Sequence, residues 1–221
     1  MIYELNHVGG QVRDLDASLA FYTDLGAQVV DRLFMQGPRV HRVHIQLGTG
    51  LVELLHPEHP AADTTYGFNH IGFLTDNLDA DHTRLLAAGY AELTPPRVAS
   101  SGQGRLSFLS DPNGVRVELL QRTEDFRIPP ITTGVVRRLA HTALPAPDLD
   151  AAITFYTTHL GMHPDPEDDA TTLRLGLDAL KLHPSWPPAS APINHLALET
   201  TTQRPDTHDP DGNRLTFLPV S

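Results

Sequence analysis

Two histidines and two glutamates occupy matched positions in the first half of this 221-residue chain. His7 and His70 each open an apolar-rich stretch, whereas Glu53 and Glu118 lie inside the apolar runs GLVELL and VRVELL. A carboxylate in such a run either faces solvent or is buried with a partner, because burying it unpaired is costly. Imidazole and carboxylate together suit a divalent first-row metal such as Ni, Co, Mn, Fe or Zn. The two pairs therefore predict one metal site if they meet in the fold.

Each of these residues also has an ordinary structural explanation. A single histidine in a strand is more often structural or exposed than metal-binding, and a glutamate between Val and Leu is commonly the outward face of an edge strand. The metal interpretation thus depends on the repetition of the pattern.

An internal repeat supplies that repetition. The segment from His7 to Thr23 returns from His141 to Thr157 with eight of seventeen positions identical and no gap. The dipeptide Asn-His occurs at residues 6–7, 69–70 and 194–195, and a D/N-Leu-Asp-Ala step follows the first three histidines of the repeat. The chain is therefore four related units that begin near residues 3, 67, 137 and 192.

Each complete unit is predicted to fold as β-α-β-β-β. In the first unit an extended stretch leads to a helix that Asp14 or Asp16 can cap and that Gly26 ends. Alternating and β-favouring residues then predict three strands. The predicted strands of the first unit are Tyr3–Val12, Gln28–Met35, Val40–Leu47 and Leu51–His56; in the second unit a helix over Asp79–Ala88 precedes strands over Tyr90–Thr94, Arg105–Ser110 and Val115–Gln121.

The fourth unit is predicted to be truncated. Its histidine, His195, precedes the turn aspartate Asp209 by 14 positions, whereas His70 precedes Asp111 by 41 positions. The difference is about the length of a helix, a strand and their connections. We expect an α+β fold of tandem modules, with a first domain over residues 1–125, a linker over 126–136 and a second domain over 137–221.

The composition excludes several classes of protein. There are 16 Lys+Arg against 27 Asp+Glu, a net charge of −11, and no basic run that would bind nucleic acid or an anionic membrane. No apolar stretch has the length of a membrane span, and the N-terminus lacks the pattern of a signal peptide. There is no cysteine, hence no thiolate metal site or disulfide. We expect a cytoplasmic monomer or homodimer.

The repeat, its opening histidines, the D-L-D-A-x3-F-Y helix start and the D-P-N-G-x3-E ending resemble the vicinal oxygen chelate superfamily. That superfamily includes glyoxalase I, methylmalonyl-CoA epimerase, extradiol dioxygenases and bleomycin-resistance proteins. The resemblance implies that paired modules form half-open barrels around one divalent ion. It implies His7, Glu53, His70 and Glu118 as the ligands, with Glu118 as the first candidate for a catalytic base and Glu53 as the second.

The metal and base together imply an enzyme of the glyoxalase or epimerase type. It would remove a proton next to a carbonyl of a small chelated substrate, through an enolate, as an isomerase, epimerase or lyase. By alternation, Arg42, His44 and Gln46 share one strand face, which either contacts the substrate or is simply solvated.

Two other functions remain open at this point. A ring-cleaving dioxygenase would use Fe(II) held by two histidines and one carboxylate, and a drug-resistance type of protein would bind a small molecule without catalysis.

The second half is expected to be a degenerate copy, since His141 and His195 align with the first pair but Thr216 stands in the place of Glu118.

Overall fold

A computed structural model describes residues 1–122, 124–166, 168–185 and 192–220. The first half contains β1 (Ile2–Gln11), α1 (Leu15–Asp24), β2 (Gln28–Met35), β3 (Val40–Leu47), β4 (Gly50–Pro57), β5 (Gly67–Thr75), α2 (Leu78–Ala87), β6 (Glu92–Val98), β7 (Arg105–Ser110) and β8 (Arg116–Gln121). The second half contains β9 (Val136–Pro145), α3 (Leu149–Thr154), a π-helical turn (Phe155–His159), β10 (His163–Pro164), β11 (Thr172–Leu175), β12 (Asp178–His183), β13 (His195–Thr200), β14 (Thr207–His208) and β15 (Arg214–Pro219).

The first two modules form one eight-stranded mixed sheet, in the order β2-β3-β4-β1-β5-β8-β7-β6. Within each module the first strand is parallel to the last, and β1 runs antiparallel to β5 where the modules meet. This arrangement relates the two modules by a pseudo-twofold axis between β1 and β5. The predicted tandem β-α-β-β-β architecture is confirmed.

The sixth strand differs most from its predicted position. It covers Glu92–Val98 instead of Tyr90–Thr94, and so includes two prolines. Its pairing with β7 is interrupted by register shifts on both sides of Thr94. Prolines are tolerated there because β6 is the last strand of the sheet and has a neighbour on one side only.

The repeated D/N-Leu-Asp-Ala step begins each helix in the same way. The side-chain oxygens of Asp14, Asn77 and Asp148 accept hydrogen bonds of 3.0, 3.2 and 3.1 Å from the backbone N–H of the alanine three residues later. The first residue of the step is therefore the N-cap. Gly26, with a φ of +99°, follows the end of α1 as predicted.

The second half forms a seven-stranded sheet in the order β10-β11-β12-β9-β13-β15-β14. In its described part the fourth module consists of β13, β14 and β15 and has no helix between them. The predicted truncation is thus confirmed.

Within the described residues no helix is long and apolar enough to cross a membrane.

Two buried tyrosines dock the halves on each other. The hydroxyl of Tyr22 in α1 donates a 2.7 Å hydrogen bond to Asp209, in the turn of module four. The hydroxyl of Tyr156, in the π-helical turn of module three, donates a 2.9 Å hydrogen bond to Asp111, in the equivalent turn of module two. Burial and the neighbouring carboxylate raise the pKa of both tyrosines well above its ordinary value. Each half therefore contributes a helix that covers a turn of the other half.

Candidate metal centre

The four candidate ligands lie on the four central strands of the first sheet. His7 is on β1, Glu53 on β4, His70 on β5 and Glu118 on β8, and these strands are adjacent in the order β4-β1-β5-β8. All four residues are buried. The pseudo-twofold axis brings residues that are far apart in sequence to one patch of the sheet surface.

Two glycines make room for the histidine rings. His7 pairs with Gly72 across the β1–β5 ladder, and His70 pairs with Gly9. A Cβ added to Gly72 would lie 2.2 Å from Cε1 of His7, and one added to Gly9 would lie 2.4 Å from Nε2 of His70. Each imidazole therefore packs directly on the opposite strand's backbone, which any side chain at the glycine positions would prevent.

The donor atoms of the four side chains converge. Nε2 of His7 lies 3.3 Å from Nε2 of His70 and 3.3 Å from Oε2 of Glu118. Oε2 of Glu53 lies 3.3 Å from His70 and 3.9 Å from His7. In the described part of the chain, His7, His70 and Glu118 are the one group of three such residues whose donor atoms all lie within 4.8 Å of one another. Two nitrogens and one carboxylate oxygen at these separations fit a divalent first-row ion, and Glu53 lies outside this group of three, beside His70.

Asparagines orient the two imidazoles. Nδ1 of His7 is 3.1 Å from Oδ1 of Asn6, and Nδ1 of His70 is 2.8 Å from Oδ1 of Asn69. An amide oxygen only accepts, so Nδ1 carries the hydrogen and Nε2 keeps its lone pair for an ion. Burial also lowers the pKa of His7, although Glu118 and Glu53 oppose this effect. The neutral form that binds metals is thus favoured.

The orientation of the first asparagine is itself fixed. Arg122 donates a 2.6 Å hydrogen bond to Oδ1 of Asn6, and the amide nitrogen of Asn6 donates to Glu4 at 3.0 Å. Neither the two asparagines nor the two glycines were among the predicted site residues. The recurring Asn-His dipeptide, and the glycine two residues after His7 and His70, were the available signals.

The three polar residues of β3 have different surroundings. Arg42 lines the cavity above the four ligands and donates to Asp31 at 2.5 Å. His44 is fully buried and does not line the cavity, contrary to the predicted substrate contact; its Nδ1 lies 3.5 Å from Asp31 and its Nε2 3.4 Å from Oε1 of Glu53. Hydrogen bonding by His44 and Arg42 lowers the pKa of Asp31 to about 2, although burial opposes it. Arg42 thus faces the cavity, whereas His44 contacts a candidate ligand.

The expected substrate contact of Gln46 requires correction. Its amide nitrogen donates to the carbonyl of Ile128 at 2.9 Å, and its amide oxygen accepts from the backbone N–H of Ile128 at 2.8 Å. Gln46 is fully buried and does not line the cavity. It therefore anchors the connection between the halves, and the alternation of β3 identified its face without revealing what covers that face.

A further residue of the connection joins the second half to the ligand strand. The guanidinium of Arg127 donates to the backbone carbonyl of Asn6 at 2.8 Å and to the carboxylate of Asp178 at 2.6 Å. Both Arg127 contacts are shielded, since its side chain is 8% exposed and that of Asp178 is 5% exposed. The second half thus supports the strand that carries His7.

The cavity over the four side chains has a volume of about 180 Å³. One wall is apolar and the rest carries cations, hydroxyls and an amide. The apolar residues are Met35, Leu55, Ala99, Leu106, Phe108 and Leu120, the polar ones are Arg42, Arg97, Ser100, Ser101, Gln103 and Arg122, and Glu53, His70 and Glu118 form the floor.

The equivalent place in the second half has a different composition. Strand register gives the equivalent positions. Lys181 pairs with Ala143 where Glu53 pairs with Gly9 in the first half. Thr216 pairs with Ala197 where Glu118 pairs with Gly72. Lys181 is paired with Asp169 at 2.7 Å and with Asp168 at 3.1 Å. An ammonium group replaces a carboxylate, and alanines replace the glycines on which the imidazoles of the first half pack.

Comparison with known proteins gives the family. Residues 4–119 and 138–217 match the profile described as the Glyoxalase/Bleomycin resistance protein/Dioxygenase superfamily. The chain is 27% identical over 186 residues to a lactoylglutathione lyase of Schizosaccharomyces pombe. The aligned part is 72% of this chain and 60% of the lyase. The chain thus spans about 60% of that relative's length.

Solved structures share the fold at low sequence identity. The Mn(II)-bound glyoxalase from Novosphingobium aromaticivorans superposes with a TM-score of 0.68 and 18% identity, over 99% of this chain and 82% of that one. The 2,3-dioxygenase LapB from Pseudomonas sp. KL28 gives a TM-score of 0.66 and 16% identity, over 99% and 92%. With most of its length matched by the family profile, the chain belongs to the Glyoxalase/Bleomycin resistance protein/Dioxygenase superfamily, which includes metal-dependent enzymes.

Proposed function

We propose that this protein is a divalent-metal-dependent enzyme that removes a proton next to a carbonyl of a small substrate, as an isomerase, epimerase or lyase. The observation that carries the proposal is the convergence of two lone-pair imidazole nitrogens and two carboxylates beside a cavity, three of the four residues lining it. His7, Glu53, His70 and Glu118 would hold the ion. When bound, such an ion polarises a carbonyl and makes the neighbouring C–H more acidic.

The contacts of the two glutamates support different roles. Oε2 of Glu53 faces His70, and its Oε1 lies 3.4 Å from His44, so both of its oxygens have neighbours. Within the described residues, Glu118 contacts His7 and His70 through Oε2, at 3.3 and 3.8 Å. We assign Glu118 as the base, because its other oxygen is available to accept a proton, and Glu53 as a fixed ligand.

The first test is the metal content of protein purified without chelators. We expect about one divalent ion per chain, retained by His141→Ala and lost by the double variant His7→Ala/Glu118→Ala. A wild-type chain that stays metal-free after Mn, Co, Ni, Zn and Fe(II) are offered would overturn the proposal.

The second test addresses the base. Deuterium exchange next to the carbonyl of small oxo compounds, followed by NMR on the metal-loaded protein, should slow at least about 100-fold in Glu118→Gln. Because the amide still offers an oxygen to the ion, metal content is measured on the same sample. Equal exchange rates in wild type and Glu118→Gln at equal metal content would exclude Glu118 as the base.

A ring-cleaving dioxygenase is the second candidate. His7, His70 and Glu118 form a two-histidine, one-carboxylate group of the kind that non-haem Fe(II) oxygenases use. Consumption of O2 by the Fe(II)-loaded protein with catechol would favour this candidate over proton transfer.

A further inference from the structure

We propose that the substrate carries an oxyanion, a carboxylate or a phosphate ester, in addition to its carbonyl, and that Arg122 and Arg97 bind this group. The inference deepens the proposed function and rests on it, since it concerns the same cavity. It is carried by the charges that line the cavity and by the surroundings of these two arginines.

The charges of the cavity do not balance without such a ligand. Glu53 and Glu118 provide two negative charges, which a divalent ion would offset. Arg42 is paired with Asp31 at 2.5 Å. The remaining charged groups of the lining are Arg97 and Arg122, and no further carboxylate lines the cavity beside them.

Arg122 is a shielded cation without a carboxylate partner among the described residues. Its guanidinium lies 4.5 Å from the centre of the Phe126 ring and donates to the neutral amide of Asn6. Its Nε is buried with no hydrogen-bond partner in the described part of the chain. Burial, aided by the charge of Arg42, lowers the pKa of Arg122, although the charges of Glu118, Glu53 and, least of these, Asp125 oppose this effect. A shielded guanidinium of this kind gains most from an anionic ligand.

The strand geometry separates the arginine from the base. Arg122 follows Glu118 by four residues and comes directly after β8; both side chains line the cavity, and an extended chain would place their Cα atoms about 13 Å apart. The long side chain of Arg122 spans part of this distance. The oxyanion would therefore lie a few bonds from the carbonyl of the substrate.

Arg97 lines the same cavity from β6, the edge strand of the same module, which β7 separates from β8. Its side chain is exposed and makes no ion pair or hydrogen bond with other described residues. The apolar wall between the two arginines and the ligands suits a short carbon chain. A small oxo acid with a second anionic group fits the metal ligands, the apolar wall and the two arginines.

The experiment measures binding of two probes to the Mn(II)-loaded protein by calorimetry. The probes are 2-oxoglutarate and 2-oxopentanoate, which have the same chain length but differ in the distal carboxylate. We expect 2-oxoglutarate to bind at least about 10-fold more tightly. This preference should fall severalfold in Arg97→Met and be lost in Arg97→Met/Arg122→Met.

The matched control is Arg32→Met, which removes the same charge from an exposed position outside this cavity. It should keep the preference, and Arg122→Lys should restore part of it. Because Arg122 also contacts Asn6, metal content is measured for every variant. Equal binding of the two probes by wild type, or a preference that survives in the metal-loaded double variant, would overturn the inference.

Inorganic phosphate distinguishes the two kinds of oxyanion. If it displaces 2-oxoglutarate at similar concentration, the site accepts phosphate as well as carboxylate, which supports the inference in its general form. A chain that fails to load metal but still binds phosphate through Arg97 and Arg122 would contradict the proposed function and leave the oxyanion site standing. A metal-loaded chain that binds both probes equally would contradict the oxyanion site and leave the proposed function standing.

Discussion

At the scale of single residues, the candidate site depends on side chains that do not touch the ion's position. Asn6 and Asn69 each accept from Nδ1 of the following histidine and so direct Nε2 toward the carboxylates. Partners of this kind set the tautomer and the ring orientation of a ligand histidine. Asn194 makes the same 3.0 Å contact with His195 in the half that lacks the carboxylates.

Replacing the first of these asparagines should weaken metal binding. We expect Asn6→Leu to lower Mn(II) affinity about 10- to 100-fold, because Nδ1 loses its acceptor and the ring its orientation. Asn6→Asp, which keeps an acceptor oxygen, should retain most of the affinity. Asn194→Leu is the matched control and should leave it unchanged. Titration of Mn(II) followed by electron paramagnetic resonance measures all four proteins, and an unaltered affinity in Asn6→Leu would contradict the assigned role.

At the scale of the elements, the site is a product of strand register. The β1–β5 ladder places each histidine opposite a glycine of the other module, and the parallel ladders place a glutamate beside each glycine. A slip of one residue would turn the side chains of a strand to the other face of the sheet. The four ligands therefore come together because the hydrophobic pattern of four strands fixes their pairing.

The glycine positions offer a direct test of this register. In Gly72→Ala the new methyl group would overlap the ring of His7, at 2.2 Å from Cε1. We expect a loss of about 1–3 kcal/mol in the free energy of unfolding and a clear loss of bound metal, since the ring must move. Gly37→Ala is the control, because nothing lies within 4 Å of its added Cβ. Denaturant unfolding and metal analysis of both variants decide the matter, and identical behaviour would show that the ring does not pack there.

At the scale of the whole molecule, the two halves have diverged in charge while keeping the same strand order, apart from the shortened module four. The first half has a carboxylate on the last strand of each module, whereas the second has Lys181 and Thr216 there. Its histidines His141 and His195 remain close, with ring centres 5.7 Å apart. Burial lowers the pKa of both to about 4, aided by Lys181 for the first and by His141 for the second.

This shift predicts how stability depends on pH. In the unfolded chain both histidines titrate near 6.5, so between about pH 6.5 and 4 the unfolded state binds protons that the folded state does not. The free energy of unfolding should therefore fall as the pH falls through this window. We expect His141→Gln/His195→Gln to reduce that fall by about 2–4 kcal/mol, allowing for partial exposure of His141. Denaturant unfolding at pH 7 and 4.5 provides the measurement.

The control for this experiment is His59→Gln, at an exposed position. It should show the same dependence on pH as the wild type. Parallel curves for the wild type and the double variant would mean that His141 and His195 do not cause the fall.

The repeats determined the fold and the candidate ligands in advance. The module plan could be predicted because strand alternation, the capping step and the helix-ending glycine are local signals. The choice of His7, Glu53, His70 and Glu118 followed from their equivalent positions in two copies and from the family resemblance. The shortened fourth module followed from the 14 positions between His195 and Asp209.

Other features were decided only by tertiary structure. The sequence placed Gln46 on the polar face of β3, but only the path of residues 126–135 shows that their backbone covers it. Likewise Arg122, Arg127 and Asn6 meet because separate strands and the connection are packed together. Periodicity along a chain reports which face a side chain occupies. What lies against that face depends on contacts between residues distant in sequence, which no local pattern specifies.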